Sequence, residues 1–138
     1  MSNTNDLLSK EDILGMDDIP TELVIVPEWK GRAVMISGMT AAGKNAYQSS
    51  LVELNGKSRK LKLEHSTAKL LVRTLVDANR QPLFTETDII RLGTKSSAVL
   101  ERLAKVASRL SGMDEQENEA LAKNSEAAQS DDSPIDSL

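Results

Sequence analysis

Cysteine is absent from this 138-residue sequence, and aromatic residues make up only 2% of it. Without thiols there is neither a disulfide framework nor a thiolate metal site, which fits a cytosolic setting. With only Trp29, Tyr47 and Phe84 as rings, the core must be built from Leu, Val, Ile, Ala and Met. Such a core should be small, mostly helical and modestly stable. No apolar run approaches the length that spans a bilayer, and no basic stretch followed by an apolar one opens the chain. A soluble, unsecreted protein is the expectation. The one histidine, His65, has no second His and no Cys with which to hold a metal. The carboxylates cluster at the two ends, where nothing positions them or shifts their pKa, so acid–base catalysis has no home. The sequence reads as a protein that is not an enzyme, with no cofactor and no metal.

What the sequence does have is a charge partition. Residues 1–20 hold five acids and one base, residues 113–138 eight acids and one base, and residues 21–112 fifteen bases and eight acids. The formal net of −4 is therefore the sum of −4, +7 and −7. One basic folded domain over 21–112 lies between an acidic N-terminal arm, 1–20, and an acidic C-terminal tail, 113–138. That asymmetry points to a protein that handles partners rather than substrates.

Residues 1–8 read as polar and disordered. Ser9 and Asp12 have the spacing of a capping box for a short turn that the run Asp17-Asp18-Ile19-Pro20 breaks. Thr21–Val26 (TELVIV) and residues 32–39 (RAVMISGM) are β-branched runs joined by Pro27-Glu28-Trp29-Lys30-Gly31, a β-hairpin pattern. The first strand is apolar on both faces, so its second face is either covered or left sticky. Thr40 caps a helix expected over 41–54, with Tyr47, Leu51 and Leu54 as its stripe, and Asn55-Gly56 ends it. Residues 57–62 form a basic connector before a helix expected over 63–77. Thr85-Glu86-Thr87-Asp88 starts a short helix that Gly93 stops. Ser97–Leu110 carries Val99, Leu103, Val106 and Leu110 at helical spacing, with Gly112 as its stop. Residues 114–123 could extend as a polar helix, and from 124 onward the chain is acidic and expected to be disordered. The fold class is α+β: an N-terminal β-hairpin packed on a mostly α-helical body, with disordered acidic termini.

Gly38-Met39-Thr40-Ala41-Ala42-Gly43-Lys44 matches a phosphate-binding loop, follows a strand and opens a helix. The next residue is Asn45 where a Mg²⁺-binding hydroxyl belongs, and the chain is too short for the parallel sheet such a loop needs. Gly38 ending a strand and Thr40 capping a helix explains the same residues. The cations Lys57, Arg59, Lys60 and Lys62 could meet phosphates, yet neither a recognition helix nor stacking rings accompany them. A small nucleic-acid-binding regulatory protein using the basic central domain is the alternative reading. For partner binding the candidates are Trp29, a lone ring at a hairpin tip, and the stripe Val99, Leu103, Val106 and Leu110, which reads as core packing first and a docking face second.

The order of elements is more specific than any motif. Val26-Pro27-Glu28-Trp29 leads into the second strand, Gly38-Met39-Thr40 precedes the first helix, and Pro82-Leu83-Phe84-Thr85 precedes the short one. Leu92-Gly93, the helix over 96–110 and Ser111-Gly112 follow. From Leu8 to Lys123 this arrangement resembles the tail assembly chaperones of long-tailed, siphovirus-like bacteriophages. The resemblance implies a non-catalytic assembly factor that binds the tape measure protein and keeps it soluble while tail tube subunits polymerise around it. It implies action in the host cell cytoplasm and absence from the mature virion. Tail tube protein and a further copy of the chain are secondary partner expectations, a membrane is not expected, and a longer frameshifted form is known in the family.

Overall fold

The computed structural model of the chain describes residues 6–55, 58–61 and 63–113, with side chains described outside 53–62. The fold is α+β. Helix α1 (Lys10–Leu14) starts at a capping box: Ser9 Oγ accepts from the Asp12 amide at 3.1 Å, and the Asp12 carboxylate accepts from the Ser9 amide at 3.0 Å. Two amides that no helical carbonyl could reach are thereby satisfied. None of its residues is buried.

Strands β1 (Thr21–Val26) and β2 (Arg32–Ser37) form the expected antiparallel hairpin, in the register Leu23↔Met35 and Ile25↔Ala33. A 3₁₀ turn over Pro27–Trp29 joins them, and Lys30 and Gly31 complete it at φ of 63° and 67°. Proline suits the first position of that turn because it has no amide hydrogen to leave unpaired. Alternation along β1 and β2 sends Val24, Val26, Val34 and Ile36 to one face. Val26 and Ile36 are wholly buried there, and Val24 and Val34 pack against the same core.

The hydroxyl of Thr40 caps α2 (Ala41–Ser50), accepting from the Gly43 amide at 3.0 Å. The helix is shorter than the sequence pattern indicates. It stops at Leu51, and Val52–Asn55 becomes β3, paired antiparallel with β4 (Ser58–Leu61). The stretch read as a helix end and a basic connector is therefore a second hairpin. Asn-Gly serves hairpin turns as readily as helix stops, and tertiary pairing decides between them.

Helix α3 (Ser66–Thr74) is likewise trimmed at both ends. His65 holds a left-handed φ of 64° before it. After it, Leu75 turns to extended geometry, and Leu75–Val76 forms β5 against β2, giving the sheet order β1-β2-β5. The turn that follows is tied by Asp77, whose Oδ1 accepts from the amides of Asn79 and Gln81 at 2.8 and 3.0 Å. Thr85 and Asp88 form the second capping box, opening a 3₁₀ turn (Glu86–Asp88) that runs into α4 (Ile89–Leu92), with Gly93 as its C-cap.

Helix α5 (Ser97–Leu110) has the bounds its apolar stripe indicates. It lies across the inner face of the sheet and against α3. Val99, Leu103 and Ala107 are fully buried with Leu71 and Ile36 in the core. At its end the Met113 amide donates to the Ser108 carbonyl at 2.7 Å and the Gly112 amide to Arg109 at 3.2 Å, with Gly112 at φ 74°. This is the paired-carbonyl stop that glycine permits at low cost. Two arginines pin α5 to the hairpin: Arg109 to Glu22 at 2.7 Å, and Arg102 to Glu28 through two contacts of 2.7 and 3.2 Å. The polar helix expected over 114–123 and the tail after it lie outside the described residues.

Candidate functional site

The hairpin exposes apolar surface of the kind that partner-binding proteins use. Leu23 and Ile25 point away from the core and are 65% and 66% exposed. Their cross-strand partners Met35 and Ala33 share that face, half-buried and exposed respectively. Burying each large side chain against a partner would stabilise a complex by roughly 1.5–3 kcal/mol. Among the described residues no strand pairs with the outer edge of β1, so main-chain donors and acceptors line the same patch. The expectation of a two-faced first strand is met here, with the second face left uncovered.

The N-terminal arm adds to this. Leu7, Leu8, Ile13, Leu14 and Met16 are each more than half exposed. The arm is tied to the body by Asp17, whose carboxylate accepts from Arg80 at 2.7 Å. Reading residues 1–8 as simply polar overlooked this stripe. Its signal was present, because Leu7-Leu8 and Ile13-Leu14 fall on either side of a capping box.

Trp29 and Phe84 face a groove of about 620 Å³ floored by Leu92 and edged by Asp88, Arg91 and Lys95. Both rings are half-buried and pack on the core, so they combine an anchored body with an open edge. Of the other candidates, Val99 and Leu103 are wholly buried, and Val106 and Leu110 are half-buried against the core. The helical stripe is thus a packing face before anything else. In the folded chain Trp29 is the member of the set that borders an open groove.

The segment from Gly38 to Lys44 ends β2 and opens α2, but the sheet behind it is antiparallel. The Gly43 amide, which a phosphate loop would offer to phosphate oxygens, instead donates to the Thr40 hydroxyl. Gly38 is needed for close packing against α5. No group of three or more His, Cys, Asp or Glu able to hold a metal occurs among the described residues. Four arginines, 73, 80, 102 and 109, are engaged with carboxylates rather than offered to phosphates. The side chains of the basic stretch 57–62 lie outside the described residues. No helix among the described residues is long and apolar enough to cross a membrane.

Hydrogen bonding by Arg102 holds the Glu28 carboxyl below its ordinary value, and Glu28 in return raises Arg102. Both groups are solvent-exposed, so the pair is a surface clasp that aligns the hairpin tip with α5.

This geometry can be set beside known proteins. The fold matches the solved structure of the bacteriophage HK97 tail assembly chaperone with a TM-score of 0.54 at 21% identity, covering 80% of this chain and 95% of that one. At that identity the likeness speaks for the fold. No match was found among the curated proteins. Residues 15–126 match the family model described as phage tail assembly chaperone. A match over that much of the sequence places the protein: the chain belongs to the phage tail assembly chaperone family.

Proposed function

We propose that this protein acts without catalysis, as a holder of the tape measure protein. It keeps that long client soluble in the host cytoplasm while the tail tube polymerises around it, and it is left out of the finished virion. Tail tube protein and a second copy of the chain are the further partners of this reading. The observation that carries it is the uncovered apolar face of an edge hairpin, Leu23 and Ile25 with Met35, on a chain of the tail assembly chaperone family. An edge strand of this kind can take a client segment through main-chain hydrogen bonds and apolar contacts together, without demanding one side-chain sequence. Such a contact suits an extended client with many similar segments.

The test is co-expression with the tape measure protein of the same genome, followed by pull-down from the soluble fraction. A soluble complex that retains the client is expected. A tape measure protein that stays insoluble and unbound would overturn the proposal.

A further inference from the structure

Half of the large apolar side chains left exposed on the described chain belong to the N-terminal arm. Leu8 and Ile13 flank the Ser9 capping box at the positions of a hydrophobic staple, which puts them on one side of the first helical turn. Among the described residues no hydrogen bond ties residues 6–16 to the body. The first tie is the 2.7 Å clasp between Asp17 and Arg80. Residues 6–18 also hold five acids and one base. The arm is thus apolar and acidic at once, and none of α1 is buried.

The Trp29–Phe84 groove has the complementary character. Its rings and Leu92 are apolar, and Arg91 and Lys95 stand on its edge. Arg73, Arg80, Arg102 and Arg109 each lie within 3.2 Å of a carboxylate. Arg91 does not: it is 86% exposed, and its one ion-pair contact among the described residues, to Asp88, is 3.9 Å long. The other oxygen of Asp88 accepts from the Thr85 amide at 3.0 Å. Lys95 has no ion-pair partner among the described residues. The groove edge therefore offers positive charge that the body leaves largely unanswered.

Position brings the two together. Arg80, which anchors the arm, lines a shallow depression with Pro82 and Phe84, and Phe84 is also a wall of the groove. From Asp17 the arm reaches about 25 Å to Leu7, counting five helical residues and five extended ones. Only Gly15 and Met16 separate α1 from the clasp, so a turn there redirects the whole arm. Tethering gives the arm an effective concentration in the millimolar range, which favours its own groove over that of another copy.

We propose that the arm is a strap poised to close onto the Trp29–Phe84 groove of its own chain. It pivots on the Asp17–Arg80 clasp, lays Leu8 and Ile13 against the rings and brings its carboxylates to Arg91 and Lys95. The described arrangement is its open form. The contact depends on no client, and a partner that takes this groove must first displace the strap.

Trp29 is the one tryptophan of the chain, so acrylamide quenching of its fluorescence in the full chain reads the groove directly. Leu8→Ser with Ile13→Ser should raise the quenching constant about twofold by leaving the groove open. Arg91→Glu with Lys95→Glu should raise it similarly, and so should salt increased from about 0.05 to about 0.5 M in the parent. All four positions are exposed, and circular dichroism reports that the variants fold. Equal quenching in the parent and the arm variant overturns the proposal. A charge variant that behaves as the parent removes this groove as the seat and overturns it as well. The difference should be constant from about 1 to about 100 μM protein, as a tethered contact requires. A difference that grows with concentration assigns the arm to another copy and likewise overturns the proposal.

Discussion

Gly38 packs against the main chain of Leu110 so closely that a β-carbon there would stand 2.4 Å from the Leu110 carbonyl oxygen. The neighbouring Met39 amide donates to Ser111 Oγ at 2.9 Å, and the Gly38 amide to the Pro20 carbonyl at 2.9 Å. One residue thus joins the end of β2, the entry to β1 and the end of α5. Gly38→Ala should destabilise the fold by about 1–3 kcal/mol, the usual range for forcing extra volume into a packed site. Gly43→Ala should be far milder, because its β-carbon would meet the movable Thr40 hydroxyl at 3.2 Å. Urea unfolding followed by circular dichroism compares the two. Equal midpoints for Gly38→Ala and the parent would remove this account of the glycine.

At Gly112 the cause is different. Open space surrounds its α-carbon, yet its φ is 74°. Gly112→Ala should therefore cost about 1 kcal/mol through backbone strain alone. Asn, which tolerates this region, should cost less, and thermal melts of the two variants check the order. If Ala and Asn melt alike, strain at this stop is not what glycine relieves.

The Glu28–Arg102 clasp predicts a pH dependence. Its folded-state carboxyl pKa lies below the ordinary 4.5, chiefly through the hydrogen bond from Arg102. The stabilisation is present above that ordinary value and is lost as the pH falls through the lower folded value. Glu28→Gln should be less stable than the parent at neutral pH and equal to it in acid, with the gap shrinking in high salt. Denaturant midpoints across that range decide it. A gap that persists in acid would mean the loss is one of packing rather than charge.

Replacing both Leu23 and Ile25 by Lys should leave stability within about 0.5 kcal/mol, since both side chains face solvent. The same change should sharply weaken capture of the tape measure protein if the hairpin face is the client site. Unfolding curves and the co-expression pull-down read the two effects separately. Undiminished capture by a folded variant would move the client site elsewhere, with the Trp29–Phe84 groove next to test.

Much of this molecule was legible in advance, for local reasons. The capping boxes at Ser9 and Thr85, the α5 stripe with its Gly112 stop, and the β1–β2 hairpin each depend on residues close in sequence. The errors fell where distant partners decide. Val52–Asn55 continues a helical pattern but pairs with β4, and Leu75-Val76 leaves α3 to join β2. The stripe from Val99 to Leu110 reads as core first and partner face second, and packing buries Val99 and Leu103.

By itself the sequence determined the charge partition, the caps and stops, the inability to build a thiolate site and the order of elements that marks the family. The tertiary structure alone decided which apolar residues stay uncovered. Periodicity reveals that a face is apolar, whereas exposure depends on whether another element lies across it. Leu23 and Ile25 are open because α5 covers only the inner side of their sheet.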